Sequence, residues 1–206
     1  MKNKTIVILV VFASVLLLKV QFALAQEVRQ ITPLHQFFQA NYDSTIIYHR
    51  WSNWNSQPNY IIVTKYKNQL YFFTYANPYR QAQGISLPGD LHKLYAKEDF
   101  KYDQTLPDTN RYLVAHYIKP SILQDYWKEL KVKQLWNIKV SKVNTDDICG
   151  IDDGDENTFY FISKSVIKRA DFYAPSYFAK CYSNDPNLQK AIQTIKLLQE
   201  LSVLQE

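Results

Sequence analysis

The chain has 206 residues, of which 47% are apolar, 15% aromatic and 21% charged, a composition that excludes a disordered tail, a collagen-like repeat and a small disulfide-only scaffold. The formal net charge is +5. Three of its cations, Lys2, Lys4 and Lys19, fall in the first 25 residues; removing them from the 24 Lys and Arg leaves 21 against 19 Asp and Glu, a net of +2 for the rest. No basic cluster there exceeds the pair Lys168-Arg169, so the basic stripe that a phosphate-binding surface needs is missing and nucleic acid is not an expected partner.

The opening segment has the pattern of an export signal. Lys2 and Lys4 make a basic start, Thr5 to Leu18 is an apolar run, and Ala23-Leu24-Ala25 before Gln26 fits small-x-small cleavage. Lys19 ends the apolar run after 14 residues, short of the about 20 needed to cross a bilayer. The expectation is a cleaved signal peptide at 1–25 and a mature chain at 26–206, secreted or periplasmic, with no transmembrane segment after signal removal.

In chain order, Leu34, Phe37 and Phe38 recur at helical spacing, and Thr32-Pro33 supplies an N-cap and a first-turn proline, which predicts a helix from Thr32 to Ala40. Thr45 to Trp51 alternates as a strand, with Ile47, His49 and Trp51 on one face and Ile46, Tyr48 and Arg50 on the other. Ser52 to Pro58 reads as a polar turn carrying Trp54. Tyr60 to Tyr66 and Leu70 to Ala76, joined by Lys67-Asn68, read as a β-hairpin. From Asn77 to Asn110, Pro78, Gly84, Pro88, Gly89 and Pro107 break the pattern, and only Leu91 to Tyr95 suggests a helical turn. Arg111 to Ile118 reads as a strand. Pro120-Ser121 opens a helix with an apolar stripe of Ile122, Leu123, Tyr126, Trp127 and Leu130. Leu135 to Val143 is read as a strand through Trp136, Ile138 and Val140. After the acidic stretch Asp146 to Asn157 comes a second hairpin, Thr158 to Lys164 and Ile167 to Tyr173. Asp185-Pro186 caps a last helix with Leu188, Ala191, Ile192, Ile195 and Leu198 on its buried side.

This order predicts an α+β fold, one domain at 26–206 in which an antiparallel sheet built from two β-hairpins carries helices packed on one face; a β-sandwich is the weaker alternative. A faint internal echo raises a tandem pseudo-repeat with halves 26–110 and 111–206. Leu34-His-Gln-Phe37-Phe38 parallels Leu123-Gln-Asp-Tyr126-Trp127, and both hairpins end in Tyr-Ala followed by a proline.

Chemical motifs are weak. Asp147, Gly150 and Glu156 fall on three positions of a calcium loop, but Thr145 and Cys149 occupy ligand positions and a strand follows, so a solvated acidic loop is the expectation and no metal is assigned. Gly84-Ile-Ser86-Leu-Pro88 lacks the second glycine of a nucleophile elbow. His35, His49, His92 and His116 share no metal-ligand spacing, and His49 and His116, beside aromatics on strand faces, are expected to be hydrogen-bonded structural groups. Cys149 and Cys181, an even pair in an exported chain, are expected to form a disulfide.

No catalytic residue and no cofactor is predicted. The 31 aromatics, 16 of them Tyr, are the most unusual feature, and most must be core. Trp54, set among Asn and Ser, with Tyr48 and Arg50 on the neighbouring strand face, is the predicted ligand-binding surface, because Trp, Tyr and Arg combine large rigid area with a polar handle. The leading expectation is an exported non-catalytic binding or interaction module for a protein or glycan ligand. The alternative is a secreted hydrolase of envelope or extracellular polymers, in which Arg80 to Asn110 would close a pocket of paired acidic or His side chains.

Overall fold

Six strands form one antiparallel sheet in the computed structural model, which describes residues 31–52, 57–79, 88–139 and 149–204. The strands are β1 (Ser44–Trp51), β2 (Tyr60–Tyr66), β3 (Gln69–Tyr75), β4 (Leu113–His116), β5 (Glu156–Ser163) and β6 (Ile167–Tyr173), and their spatial order is β4-β3-β2-β1-β5-β6. The helices are α1 (Pro33–Asn41), α2 (Gly89–Asp103), α3 (Pro120–Glu129), α4 (Val132–Leu135), α5 (Pro175–Cys181) and α6 (Pro186–Val203). The α+β class therefore stands. The sheet and all these helices lie within the unit Thr32–Glu206. The segment expected to be a signal peptide, 1–25, lies outside the described residues.

Helices cover both faces of the sheet, which corrects the expected single covered face. Ile46, Val63, Phe72, Phe159, Phe161 and Phe172 pack with Leu123 of α3, Leu135 of α4, Phe178 of α5 and Leu198 of α6. Ile47, Ile62, Tyr75, Tyr160 and Ile162 pack on the other side with Leu34 and Phe38 of α1 and Tyr102 of α2. The physical reason is in β1 itself, where Thr45 through His49 are all buried. A strand covered on one side alone alternates apolar with polar; one apolar at both parities needs cover on both sides. The two helices of the internal echo consequently sit on opposite faces, with Leu34 in one core and Leu123 in the other.

Two further segments differ from the sequence reading. The stretch Asn77 to Asn110 contains the 15-residue helix α2, whose one buried side chain is Tyr102. Where a strand from Leu135 to Val143 was expected, α4 ends at Leu135, and residues 140–148 lie outside the described residues. Leu135 and Ile138 are buried, a three-residue spacing that suits a helical turn. The Lys168 ammonium donates to the Ile138 carbonyl at 2.9 Å, tying this turn to β6.

Cys149 and Cys181 are joined by a disulfide with Cα atoms 6.5 Å apart, inside the usual span. It links the entry to β5 with the end of α5. Tyrosines hold the same loop: Tyr177 donates to the Gly150 carbonyl at 3.1 Å, while the Tyr173 hydroxyl lies 2.9 Å from the Ile151 carbonyl and accepts from the Gly154 N–H at 2.8 Å.

Candidate functional site

Alternation along β1 puts Tyr48 and Arg50 on one face of the sheet, and their environments then diverge. Tyr48 is 3% exposed, belongs to the core that contains Leu198 and Leu201 of α6, and donates to Asn157 Oδ1 at 2.7 Å. Burial pushes its phenol well above the ordinary tyrosine range. Tyr48 is thus a core side chain and not an open contact, because α6, contributed from the far end of the chain, roofs that part of the face. Arg50 is exposed and pairs with Asp155, whose hydrogen bond favours the charged guanidinium. Trp54 lies outside the described residues.

Gln57 and Pro58, just before β2, meet α2. Gln57 Nε2 and Asn77 Nδ2 both donate to Asp99 Oδ1, at 2.8 and 2.6 Å. The Tyr102 hydroxyl donates to the Pro58 carbonyl at 3.0 Å, and His49 Nε2 lies 3.0 Å from the Gln57 carbonyl. These bonds join the end of α2 to the ends of β1, β2 and β3. Asp103, one helical turn from Asp99, has its carboxyl raised by partial burial and by the neighbouring Asp99 charge. Asp99 is committed to two amide donors, which makes this cluster a clamp for α2.

A different place has the shape of a ligand seat. β3 is seven residues long and β4 only four, with Phe72 opposite His116 and Tyr75 opposite Leu113. Past His116 the chain leaves the sheet, and Pro120 opens α3 after Lys119 at φ −49 and ψ 125, outside the helical region that a residue before proline avoids. The outer edge of β3 is left without a β4 partner at its start, Gln69 to Tyr71. A cavity of about 360 Å³ fills this notch, walled by Asn68 to Phe73 of the β2–β3 turn and β3, Ala115 to Ile118, and Pro120, Leu123 and Gln124 of α3. Its size falls in the range of small-ligand pockets.

The hydrogen-bond pattern shows which backbone groups face the notch. The Ala76 N–H donates to the Tyr112 carbonyl at 3.1 Å, and antiparallel ladders alternate. Phe72 and Thr74 of β3, and Ala76 just beyond it, therefore bond toward β4, while 69, 71, 73 and 75 bond toward β2. Leu70 has the parity that faces β4, where no strand continues. At the mouth His116 Nε2 lies 2.6 Å from Thr74 Oγ1, and its burial lowers the imidazole pKa. Tyr117 is 70% exposed. An aromatic group adjoins the opening on the α1 side, where Tyr42 contacts Tyr66, Tyr71 and Phe73 with ring centroids about 6.2 Å apart. Sequence reasoning missed this seat. Its signal was Lys119-Pro120, which forces the chain off the sheet before β4 can match the length of β3.

Among the described residues no group of three or more His, Cys, Asp and Glu side chains could hold a metal ion, and no helix is long and apolar enough to cross a membrane. Comparison with known proteins finds no matching family model, no similar curated protein and no similar solved structure.

Proposed function

We propose that the protein is an exported, non-catalytic binding module and that its ligand seat is the notch between β3, β4 and α3. The observation that carries this reading is the composition of the cavity wall: Tyr71, Phe72, Phe73 and Tyr117 with Leu70, Ile118 and Leu123, and the polar edges of Asn68, Gln69, His116 and Gln124. Aromatic and apolar surface with a few orienting polar groups is the chemistry of recognition. Among the described residues no carboxylate, cysteine, serine or threonine lines this cavity, so it offers neither the paired acids of a glycosidase nor a serine, threonine or cysteine nucleophile. The alternative of a secreted hydrolase would draw on Asp99 and Asp103, and the two amides that hold Asp99 weaken it. Arg50 lies at the end of β1 opposite the one level with Leu70, and Arg50 with Trp54 remains a second contact area in this proposal. Export rests on the leader pattern together with the disulfide, since disulfides persist in oxidising compartments.

A saturation-transfer NMR screen of small sugars, amides and aromatic acids tests the reading. Ligands that bind wild type, vanish with Gln124→Trp at the mouth and survive unchanged overnight support it. Turnover of any of them, or binding indifferent to Gln124→Trp, contradicts it.

A further inference from the structure

Resting on the binding-module reading of this cavity, we propose that the notch takes an extended, acidic peptide segment by strand addition. The segment would run in the lane that β4 vacates, and its backbone would pair with Leu70.

The first ground is the backbone. Leu70 is the one position of the register at which β3 presents an N–H and a C=O toward the β4 side with no strand opposite, and neither group has a hydrogen-bond partner among the described residues. A donor and an acceptor on one residue of a sheet edge are the complement of one residue of another extended chain. A sugar or a lipid tail satisfies them less completely. The second ground is the pleat. A peptide residue opposite Leu70 points its side chain to the same face as Leu70, toward Leu123 of α3, and its two neighbours point to the opposite face, where Tyr71 and Tyr117 stand. An apolar residue between two β-branched ones suits those surroundings.

The third ground is charge. Among the described residues no Asp or Glu lines the cavity. Lys65 is the cross-strand partner of Leu70, Lys67 adjoins Asn68, and Lys119 stands between Ile118 and Pro120. None of these three ammonium groups makes an ion pair among the described residues. Two carboxylates lie close by in sequence or contact: Asp43 accepts from the Lys67 backbone N–H, and Asp125 is paired with Lys128. The balance favours acidic residues flanking the apolar one.

The probe is the blocked peptide Ac-Glu-Thr-Leu-Thr-Glu-NH2, titrated into isotope-labelled protein and followed by NMR. The expected result is movement of the Leu70 amide and the Leu123 methyl signals, with affinity falling at least about tenfold when the central leucine is N-methylated or both glutamates become lysine, and falling with added salt. Lys65→Glu should weaken the acidic peptide and strengthen the lysine version, a reciprocal change that a merely structural loss would not produce. If the N-methylated peptide binds within about twofold of its parent, strand pairing is wrong. If chitopentaose moves the same signals and the peptide does not, the peptide inference falls while the binding reading survives. If neither moves them, both fall.

Discussion

His35 makes acid sensitivity of the fold a calculable property. It sits at the third position of α1, fully buried, with Nδ1 3.1 Å from the Thr32 backbone nitrogen and 2.7 Å from the Thr32 hydroxyl. A backbone N–H can only donate, so Nδ1 is the bare acceptor and the ring proton is on Nε2, which is buried without a hydrogen-bond partner among the described residues. Protonating Nδ1 would break the contact with the Thr32 N–H and place a cation against the Tyr160 ring, whose centroid is 4.1 Å away. Burial first, then the positive fields of His49 and Arg169, lower the His35 pKa from 6.5 to about 3. The unfolded chain takes up this proton as pH falls through 6.5 while the native state refuses it, so the contribution to stability is complete above 6.5 and is lost progressively down to about 3. Between pH 6.5 and 4.5 the loss from this one group is about 2 to 3 kcal/mol, a large share of the roughly 5 to 15 kcal/mol of a typical domain. His35→Asn keeps an acceptor for the Thr32 N–H but cannot titrate; it should be less stable than wild type near neutrality by about 1 to 2 kcal/mol through lost packing. Urea unfolding at pH 6.5, 5.5 and 4.5 should show His35→Asn gaining about 2 to 3 kcal/mol relative to wild type, enough to reach or overtake it by pH 4.5. A gap that stays constant over this range would refute the account of His35.

Other consequences concern the tethers and turns. Replacing Cys149 and Cys181 together by serine should lower stability by about 3 to 4 kcal/mol, since the bridge closes a separation of 32 residues; an unchanged urea midpoint would count against it. Gly154→Ala should cost about 1 to 3 kcal/mol, because an added Cβ would lie 2.7 Å from Ala174 Cβ and 2.9 Å from Tyr173 Cζ; a thermal melt matching wild type would contradict that packing. Lys131 is exposed and left-handed at φ 47, so Lys131→Gly should raise stability by about 0.5 to 1 kcal/mol, and a lower melting temperature would show that its side chain carries something the backbone argument omits.

How much of this was legible in the sequence depends on how far away the deciding contact lies. The strands β1, β2, β3, β5 and β6 were legible because Val, Ile, Tyr, Phe and Thr dominate them, and α1, α3 and α6 because proline opens each and apolar residues recur at helical spacing. The disulfide followed from an even cysteine count and the leader pattern. Helix α2 was not, since Leu91, Leu94 and Phe100 are 45%, 47% and 67% exposed and no apolar stripe announces it; hydrogen bonds that Asp99 accepts from Gln57 and Asn77 and that Tyr102 donates to Pro58 hold it instead. Tyr48 illustrates the same limit. Alternation assigns it a face of β1, but whether that face is open depends on α6, more than a hundred residues later. The notch was illegible for a related reason: it arises from a mismatch in length between two strands that pair only after the chain has folded.

Amide hydrogen exchange at Leu70, in the ligand-free protein, tests the notch most directly. Tyr71 bonds toward β2 and Phe72 toward His116, so both amides should be protected, whereas the Leu70 N–H between them faces the open edge and should exchange near the rate of an unstructured amide. It should slow when the acidic peptide is added. Protection of Leu70 equal to that of Tyr71 and Phe72 in the unliganded protein would mean that the edge is already occupied, and would contradict the placement of a ligand seat there.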